Sequence, residues 1–239
     1  LNPSQAQYDL NDLAWEYLAK PLNDKISDRF KALELILQLK PKLELELQEK
    51  SLSGLFSSLE MPLVSVLAEM ELDGIKLDLE VLRQLSSDIE KRLVTLIKEI
   101  YALSGSEFNL NSPKQLREVL FEKLKLPVVK KTKTGPSTDE EVLRNLARQH
   151  KLPALLLEYR QLMKLKNTYI DVLPELVDKK TGRVHSSFNQ TGTETGRLSS
   201  SNPNLQNIPV KTDIGRNIRR AIIASAEDNW LLAFDYSQI

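Results

Sequence analysis

Apolar side chains in the first 180 residues recur at spacings of three and four positions, which is the period of an amphipathic α-helix. The longest series consists of Leu82, Leu85, Ile89, Leu93, Leu96, Ile100 and Leu103. Asp78 before it suits a helix N-cap and Ser104-Gly105 after it suits a stop, so the pattern predicts a helix of about 25 residues. A helix this long with one apolar face needs an antiparallel partner, and residues 154–177 carry a matching apolar stripe.

Shorter helical patterns precede this pair. Asp9 can cap a helix that ends near residue 20, and a break at residues 21–27 separates it from the next helix. That next helix, which Pro41 is expected to bend or end, has an apolar stripe of Phe30, Leu33 and Leu37. A further apolar helix covers residues 59–72 and stops at a turn. We interpret these pieces as helices that dock on other parts of the molecule.

Between the two long helices the sequence predicts a small helical subdomain. Ser112 followed by Pro113 suits the start of one helix. Ser137 or Thr138, followed by three acidic residues, suits the start of another.

The period changes from helical toward alternating after Gly182, which is typical of β-strands. We expect a short helix near residues 214–219 and a strand at residues 230–233 that delivers Asp235 to its end. Two or three strands cannot close a stable sheet by themselves. The predicted fold class is therefore α+β, a mostly helical part followed by the first strands of an incomplete sheet.

Composition limits the kind of protein. With 239 residues, of which 41% are hydrophobic, the chain can bury a substantial core. It contains no cysteine, which excludes disulfides and thiolate metal sites within it and fits a reducing compartment. No apolar run reaches the roughly 18 residues of a membrane span, and no basic-then-apolar leader opens the sequence. We expect a cytoplasmic protein without membrane association.

The net charge of zero conceals two halves of opposite sign. Residues 1–111 carry 12 Lys and Arg against 19 Asp and Glu, whereas residues 112–239 carry 21 against 14. Basic side chains gain affinity for nucleic acid by displacing counterions from phosphates, so the second half is a candidate for meeting a polyanion. An ordinary charged surface is the alternative.

Candidate phosphate ligands concentrate in the small helical subdomain. The segment 130–138 combines three lysines, a turn and a helix start, and lysines, hydroxyls and free backbone N–H groups bind phosphate oxygens. Asn109, Asn111 and Ser112 form a second polar helix start. Arg160 and Lys164 lie four residues apart on the returning helix. The alternatives are a solvated loop, an N-cap and a solvated pair, respectively.

A second candidate region surrounds Arg197, which follows a glycine and precedes a run of small polar residues. In this setting a guanidinium can reach a base edge or a phosphate. Asn204 and Gln206 add amides that can donate to minor-groove acceptors. By composition alone such a segment is most often a loop.

Four segments in a particular order carry a family resemblance: residues 195–200 (TGRLSS), 203–209 (PNLQNIP), 215–219 (GRNIR) and 235–239 (DYSQI). In order and spacing they resemble family A DNA polymerases of the bacterial DNA polymerase I type. The resemblance extends back through the polar and basic segments described above and covers at least residues 60–239. It implies template-directed DNA synthesis, in which a primer 3′-hydroxyl attacks a deoxynucleoside triphosphate.

The resemblance implies three parts. Residues 1–55 would be the C-terminal end of a 3′–5′ exonuclease-like domain, residues 56–180 a thumb built on the long helix pair with a small helical tip, and residues 181–239 the start of a palm. The thumb would hold the primer-template DNA by its phosphates through Asn109, Asn111, Ser112, Lys130, Lys131, Lys133, Ser137, Thr138, Arg160 and Lys164. Arg197 would contact the primer terminus from the minor-groove side, and Asn204 and Gln206 would lie along the duplex.

The resemblance also implies a catalytic role for Asp235. This carboxylate would bind two Mg²⁺ ions together with the main-chain carbonyl of Tyr236, and oxygen ligands suit magnesium. A single carboxylate is too little for such a site. The family's glutamate directly after Ile239, its fingers and its second metal carboxylate are not among these 239 residues. We therefore expect the remaining palm and fingers to come from another chain or segment, and this chain alone to be inactive.

Two other functions compete with this interpretation. A non-catalytic module could use the thumb alone to bind duplex DNA, and it would then bind DNA in a salt-sensitive way without any partner. A nuclease based on residues 1–55 is the weaker alternative, because the family's exonuclease pattern of a tyrosine four residues before an aspartate is not found around Asp28, where position 24 is Asp. The other carboxylates of such a site would lie upstream of these residues.

Overall fold

The structure, a computed structural model, describes residues 9–19, 29–133, 135–226 and 228–237. The described residues fall into two compact units. One unit comprises those of Leu1–Gly74 and His185–Asn207, and the other those of Ile75–Val184 and Ile208–Ile239. The combination of many helices with short antiparallel strand pairs confirms the predicted α+β class. The predicted domain boundaries after residues 55 and 180 stay predictions.

The α-helices, in chain order, are α1 (Leu10–Leu18), α2 (Arg29–Glu49), α3 (Ser53–Leu55), α4 (Met61–Asp73), α5 (Leu79–Ser104), α6 (Pro113–Arg117), α7 (Glu140–Leu146), α8 (Lys151–Leu165), α9 (Val172–Glu175) and α10 (Asp213–Arg220). The strands are β1 (Lys76–Leu77), β2 (Lys131–Thr132), β3 (Gly135–Pro136), β4 (Ser187–Asn189), β5 (Ser199–Ser201) and β6 (Ile222–Ile223). One-turn π-helical segments occupy Phe56–Glu60, Glu118–Lys123 and Lys166–Ile170, and a 3₁₀ turn occupies Leu205–Asn207.

In the first unit, α1 begins as predicted, because the Asp9 carboxylate accepts a hydrogen bond from the backbone N–H of Asn11 at 2.8 Å. The break predicted at residues 21–27 lies outside the described residues. Helix α2 continues through Pro41 instead of ending there. Proline removes one backbone hydrogen bond, but the flanking leucines, lysines and glutamates are strong helix formers.

The predicted apolar stripe of α2 is not the side that is buried in the first unit. Phe30, Leu33 and Leu37 are exposed, whereas Leu35 and Leu39 are buried. This helix carries apolar residues on more than one side, so the spacing alone cannot identify the side that packs.

Strands β4 and β5 pair in antiparallel fashion, with Phe188 opposite Ser200. Polar contacts join this strand pair to α4. The ring Nδ1 of His185 hydrogen-bonds the carbonyl oxygen of Glu71 at 2.7 Å, and the backbone N–H of Phe188 donates to the Glu71 carboxylate. These contacts fix the strands that flank residues 190–198.

In the second unit, the predicted long helix is confirmed as α5, which Asp78 caps through its carboxylate and which ends at Gly105. Its predicted partner is also confirmed, but it is made of α8, a π-helical turn and α9. Leucines on the facing sides of α5 and α8, such as Leu96 and Leu156, are fully buried. Away from this core, Arg92 makes a two-pronged contact with the Glu158 carboxylate at 2.7 and 2.9 Å.

The subdomain between these helices contains α6 and α7. Ser112 caps α6, as predicted, with its hydroxyl accepting from the N–H of Gln115 at 3.4 Å. The predicted cap of α7 was wrong by one or two residues. Asp139 caps this helix by accepting from the N–H of Val142 at 2.9 Å, and Ser137 and Thr138 are buried before it. Aspartate is as good an N-cap as serine, so composition could not choose between them.

The rest of the second unit contains short strands and α10. Strand β1 pairs with β6, and Ile75 bridges Val184. Helix α10 confirms the predicted short helix and begins at the Thr212 cap. It lies so close to the preceding chain that a β-carbon on Gly215 would come within 2.1 Å of the Pro209 carbonyl oxygen.

The strand predicted at residues 230–233 is not formed among the described residues. Trp230 and Leu232 are 87% and 76% exposed. A strand is stable only when neighbouring backbone satisfies its N–H and C=O groups, and the described residues offer this segment no such partner.

Within the described ranges, no single helix is long and apolar enough to cross a membrane. Helix α2 and the helical stretch Ser53–Asp73 are long and apolar enough only when taken together, and the two are bent by 116° at the break between them.

Candidate nucleic-acid interface

The predicted basic segment forms a two-stranded hairpin. Strands β2 and β3 place Lys131 opposite Pro136 and Thr132 opposite Gly135. The Thr132 hydroxyl donates to the Gly135 carbonyl at 2.9 Å. Lys131 and Lys133 are exposed and make no ion pair within the part of the chain that the structure describes. Two ammonium groups therefore project from the tip of the hairpin with their full charge available.

The base of the hairpin is held by internal contacts. The N–H of Ser137 donates to the Lys130 carbonyl at 2.8 Å. Arg160 of α8 lies against the following residue, with its Nη1 donating to the Thr138 carbonyl and its Nη2 to the Thr138 hydroxyl at 3.5 Å. Ser137 and Thr138 are both buried. These side chains and backbone groups are part of the internal structure of the subdomain.

Asp139 connects the hairpin to α7. Its carboxylate caps the helix and also accepts from the Lys130 ammonium at 2.9 Å, while Glu141 lies 3.6 Å from the same ammonium. The hydrogen bond from Lys130, followed by those from the Val142 backbone and the Ser137 hydroxyl, lowers the pKa of Asp139 to about 2. The hydrogen bond to Asp139 in turn raises the pKa of Lys130. This cation is charged but already has carboxylate partners.

Arg160 and Lys164 are placed differently although they are one helical turn apart. Burial lowers the pKa of the Arg160 guanidinium, while the charge of Asp139 opposes this shift. A guanidinium remains charged in proteins even so. Lys164 is exposed. Of the predicted pair, only Lys164 presents its charge to solvent in the way that the basic tip of the hairpin does.

The polar residues before α6 cap one another. The Asn109 side-chain oxygen accepts from the N–H of Asn111 at 2.9 Å, and the N–H of Asn109 donates to the Gln115 side chain at 2.6 Å. Ser112 is the helix cap. Asn109 and Asn111 are nevertheless exposed, so their amide groups can still reach a ligand.

In the first unit, Arg197 lies in the loop between β4 and β5. The Thr193 hydroxyl donates to the Arg197 carbonyl at 2.6 Å and closes this loop on itself. Gly196, directly before the arginine, has φ of +73°, a conformation that favours glycine. The loop backbone is thus fixed while the Arg197 side chain is exposed.

Asn204 and Gln206 share one turn beside the same loop. The Asn204 side-chain oxygen accepts from the Ser200 hydroxyl at 3.2 Å and from the N–H of Gln206 at 3.1 Å. The Gln206 amide donates to the Leu198 carbonyl at 3.1 Å. The structure therefore brings these two predicted residues together next to the strand that follows Arg197.

Asp235 and Tyr236 lie in the exposed segment at residues 228–237. Asp235 makes no hydrogen bond or ion pair with the described residues, and among them no group of three His, Asp or Glu side chains could hold a metal ion. Gln238 and Ile239, the last residues of the predicted motif, lie outside the described residues. Carboxylate and carbonyl oxygens suit Mg²⁺ chemically, but one carboxylate supplies too few ligands.

One residue that matters for this surface was missed from the sequence. Asp139 was expected only as a favourable charge in the first turn of α7, whereas it links the helix to Lys130. The signal was present, because an aspartate that starts an acidic run nine residues after a lysine can both cap and pair. Only the folded hairpin shows that the lysine reaches it.

Comparison with known proteins adds a family assignment to this geometry. The family model described as DNA polymerase family A matches residues 79–239. The thermostable DNA polymerase I of Thermus aquaticus is 53% identical over 80% of the chain, and DNA polymerase I of Caldicellulosiruptor bescii is 43% identical over 100% of it. The chain spans only 23% and 28% of the length of these two relatives.

A solved structure gives the same result in three dimensions. It is described as the POL domain of Pol1 from M. smegmatis in complex with DNA primer-template and dNTP. It aligns with a TM-score of 0.86 and 41% identity, covering 93% of this chain and 39% of that one.

Proposed function

Because this chain belongs to DNA polymerase family A, we propose that it forms the DNA-gripping part of an enzyme that extends a primer on a DNA template and contributes one catalytic aspartate to it. The proposal rests on three exposed features that occur together in a chain of this family. They are the basic hairpin, the Arg197 loop and the Asp235 carboxylate, which has no hydrogen-bond or ion-pair partner among the described residues. The relative of known structure was solved with primer-template DNA and a dNTP. We infer the same partners for this protein, acting in the cytoplasm.

Grip on the duplex would come from side chains that stay charged or polar and exposed. Lys131 and Lys133 at the hairpin tip, Lys164 on α8, and Asn111 before α6 meet this condition. Lysines bind phosphate as point charges and release counterions on contact, which gives affinity without sequence preference. Asn109 and Ser112 would contribute side-chain donors that their internal hydrogen bonds leave free. The remaining four predicted residues already take part in hydrogen bonds or burial within the subdomain, namely Lys130, Ser137, Thr138 and Arg160.

The Arg197 loop would contact the base pair at the primer end. Its guanidinium can donate to the minor-groove acceptors that all correct base pairs share, namely purine N3 and pyrimidine O2. The closed loop backbone holds the arginine at a fixed point, and the Asn204–Gln206 turn adds amide groups beside it. A contact that depends on these common acceptors favours a correctly paired primer end over a mispaired one.

Chemistry would depend on Asp235. This side chain and the Tyr236 carbonyl would hold Mg²⁺ together with carboxylates from outside these residues, and two bound ions would supply charge stabilisation for transfer of the nucleotidyl group. The primer 3′-oxygen then forms a bond to the α-phosphorus while the bond to pyrophosphate breaks. The role of this chain is to hold one carboxylate at that point and the duplex beside it.

Primer extension by the complete gene product tests the proposal. We expect Asp235→Ala to lower kcat by about a thousandfold or more, because loss of a metal ligand removes several kcal/mol of transition-state stabilisation and 1.36 kcal/mol corresponds to tenfold. Duplex affinity should change little. Asp228→Ala is the matched control, since it removes a carboxylate from the same exposed segment and should leave extension intact.

The result also separates the alternatives. Near-normal extension by Asp235→Ala would refute the assignment of that residue. Salt-sensitive duplex binding without any extension by the complete wild-type protein would favour a non-catalytic DNA-binding module.

A further inference from the structure

Arg160 has an unusual position for a side chain that family resemblance assigns to DNA. Its Nη1 donates to the Thr138 carbonyl and its Nη2 lies 3.5 Å from the Thr138 hydroxyl, 22 residues away in sequence. Thr138 is buried, and Arg160 is the donor that the described residues supply to this carbonyl. Leaving a buried carbonyl without a donor is unfavourable, because no hydrogen bond then offsets its removal from water. A phosphate that drew Arg160 away from Thr138 would have to offset this cost.

The residues next to Thr138 connect this contact to the basic tip. Ser137 donates its N–H to the Lys130 carbonyl at 2.8 Å, and strand β2, with Lys131, follows directly. On the other side, Asp139 accepts from the Lys130 ammonium at 2.9 Å and caps α7. Arg160 is thus the point at which the rigid helix α8 holds both the hairpin and the start of α7.

From this geometry we propose that Arg160 is a positioning residue, which fixes the hairpin so that Lys131 and Lys133 meet the duplex phosphates, and is not itself a phosphate ligand. The inference rests on the proposed function, because it concerns how the same DNA-binding surface is built. Lys164, one turn further along α8 and exposed, is the direct ligand on this helix.

A double-mutant cycle on duplex binding tests the role of Arg160. The complete gene product binds a fluorescein-labelled primer-template duplex at several salt concentrations, with Arg160→Met made in the wild type and in a Lys131→Ala/Lys133→Ala background. Methionine keeps most of the apolar stem and removes the guanidinium. Each lost phosphate contact lowers the slope of log K against log salt by about 0.9. We expect Arg160→Met to weaken binding and lower the slope in the wild type, and to do neither in the background.

Lys164→Met is the matched control from the same helix. As a direct ligand it should lower the slope by about 0.9 in both backgrounds. If Arg160→Met behaves in the same additive way, the positioning role is wrong. If instead the wild-type protein shows no salt-dependent duplex binding, the proposed function itself fails, and that outcome is distinct from additivity.

A measurement without DNA provides a second test. If Arg160 positions the hairpin, Arg160→Met should accelerate hydrogen exchange of the Ser137 amide by at least about tenfold in the free protein, because that amide bonds across the hairpin base. Lys164→Met should leave it unchanged. Unaltered exchange in Arg160→Met would overturn the proposal. If Arg160→Met does not fold, Arg160→Lys replaces it in the cycle, since lysine preserves a phosphate contact but lacks the two-pronged fork.

Discussion

Two aspartates in the second unit, Asp139 and Asp235, occupy opposite kinds of environment. Asp139 accepts hydrogen bonds from Lys130 and Val142, caps a helix and belongs to a hairpin whose base is closed. Asp235 lies in an exposed segment and has no partner among the described residues. The first carboxylate is fully used in maintaining structure. The second has all its ligand positions available, which is the condition that a metal ligand requires.

The residues around the two carboxylates also differ in burial. The helix pair α5 and α8 buries its leucines and supports the hairpin, whereas Trp230, Phe234 and Tyr236 around Asp235 are all more than 80% exposed. Aromatic side chains exposed to this extent add little buried apolar area to this segment. The hairpin base is therefore held by contacts within the second unit, whereas residues 228–237 are exposed throughout.

Hydrogen exchange offers the largest expected contrast between these regions. In this chain, central amides of α5 and α8 should exchange at least about a thousandfold more slowly than amides of residues 230–236, because core helices open only with most of the unfolding free energy. Mass spectrometry of peptides from the two regions measures the difference. Strong protection of residues 230–236 in this chain alone would break the comparison. If residues 230–236 are protected only in the complete gene product, the difference between the two regions of this chain is supported.

A matched pair of leucine substitutions gives the next largest effect. Leu156→Ala removes a fully buried side chain from α8 and should lower the free energy of unfolding by about 2–5 kcal/mol, through lost burial and the cavity it leaves. Leu232→Ala removes a side chain that is 76% exposed and should change stability by less than about 0.5 kcal/mol. Urea unfolding of both variants measures the two values. Similar losses in the two variants would show that residues 230–233 pack in this chain after all.

The contrast also explains which features could be predicted from the sequence. Helix α5 was predicted with its cap at Asp78 and its stop at Gly105, because the period and both signals lie within the segment itself. The strand at residues 230–233 was predicted wrongly, because a strand depends on a partner that the local pattern does not contain. The local pattern of α2 likewise did not identify Leu35 and Leu39 as its buried residues.

The candidate site shows the same limit. Lys131 and Lys133 could be singled out from the sequence as candidate phosphate ligands, since lysines beside a turn are recognisable without tertiary information. Their contact with phosphate stays a prediction. The internal role of Arg160 could not, because its partner Thr138 is 22 residues away and only the fold brings them together. Sequence identifies the charged groups, and the structure shows which of them are already engaged.

The smallest predicted effect concerns the hairpin base itself and its dependence on pH. The pKa of Asp139 is lowered from 3.8 to about 2, so its contacts stabilise the hairpin base above about pH 4 and are lost as the pH falls from about 4 through about 2. The charged groups that face it are Lys130, Glu141 and Arg160. Protection of the Val142 amide, which bonds the carboxylate, should therefore fall by a modest factor over this range, measured relative to the intrinsic exchange rate at each pH.

Asp139→Asn is the variant that isolates this effect, because asparagine keeps the helix cap but cannot titrate or pair with Lys130 as a charge. It should remove the pH dependence of the protection of the Val142 amide while leaving α7 folded at neutral pH. Glu141→Gln, which removes the weaker partner 3.6 Å from Lys130, should alter the profile less. If Asp139→Asn kept the wild-type pH profile, the carboxylate would not be the group that holds the hairpin base. The distinction between a structurally engaged Asp139 and an available Asp235 would then lose its basis.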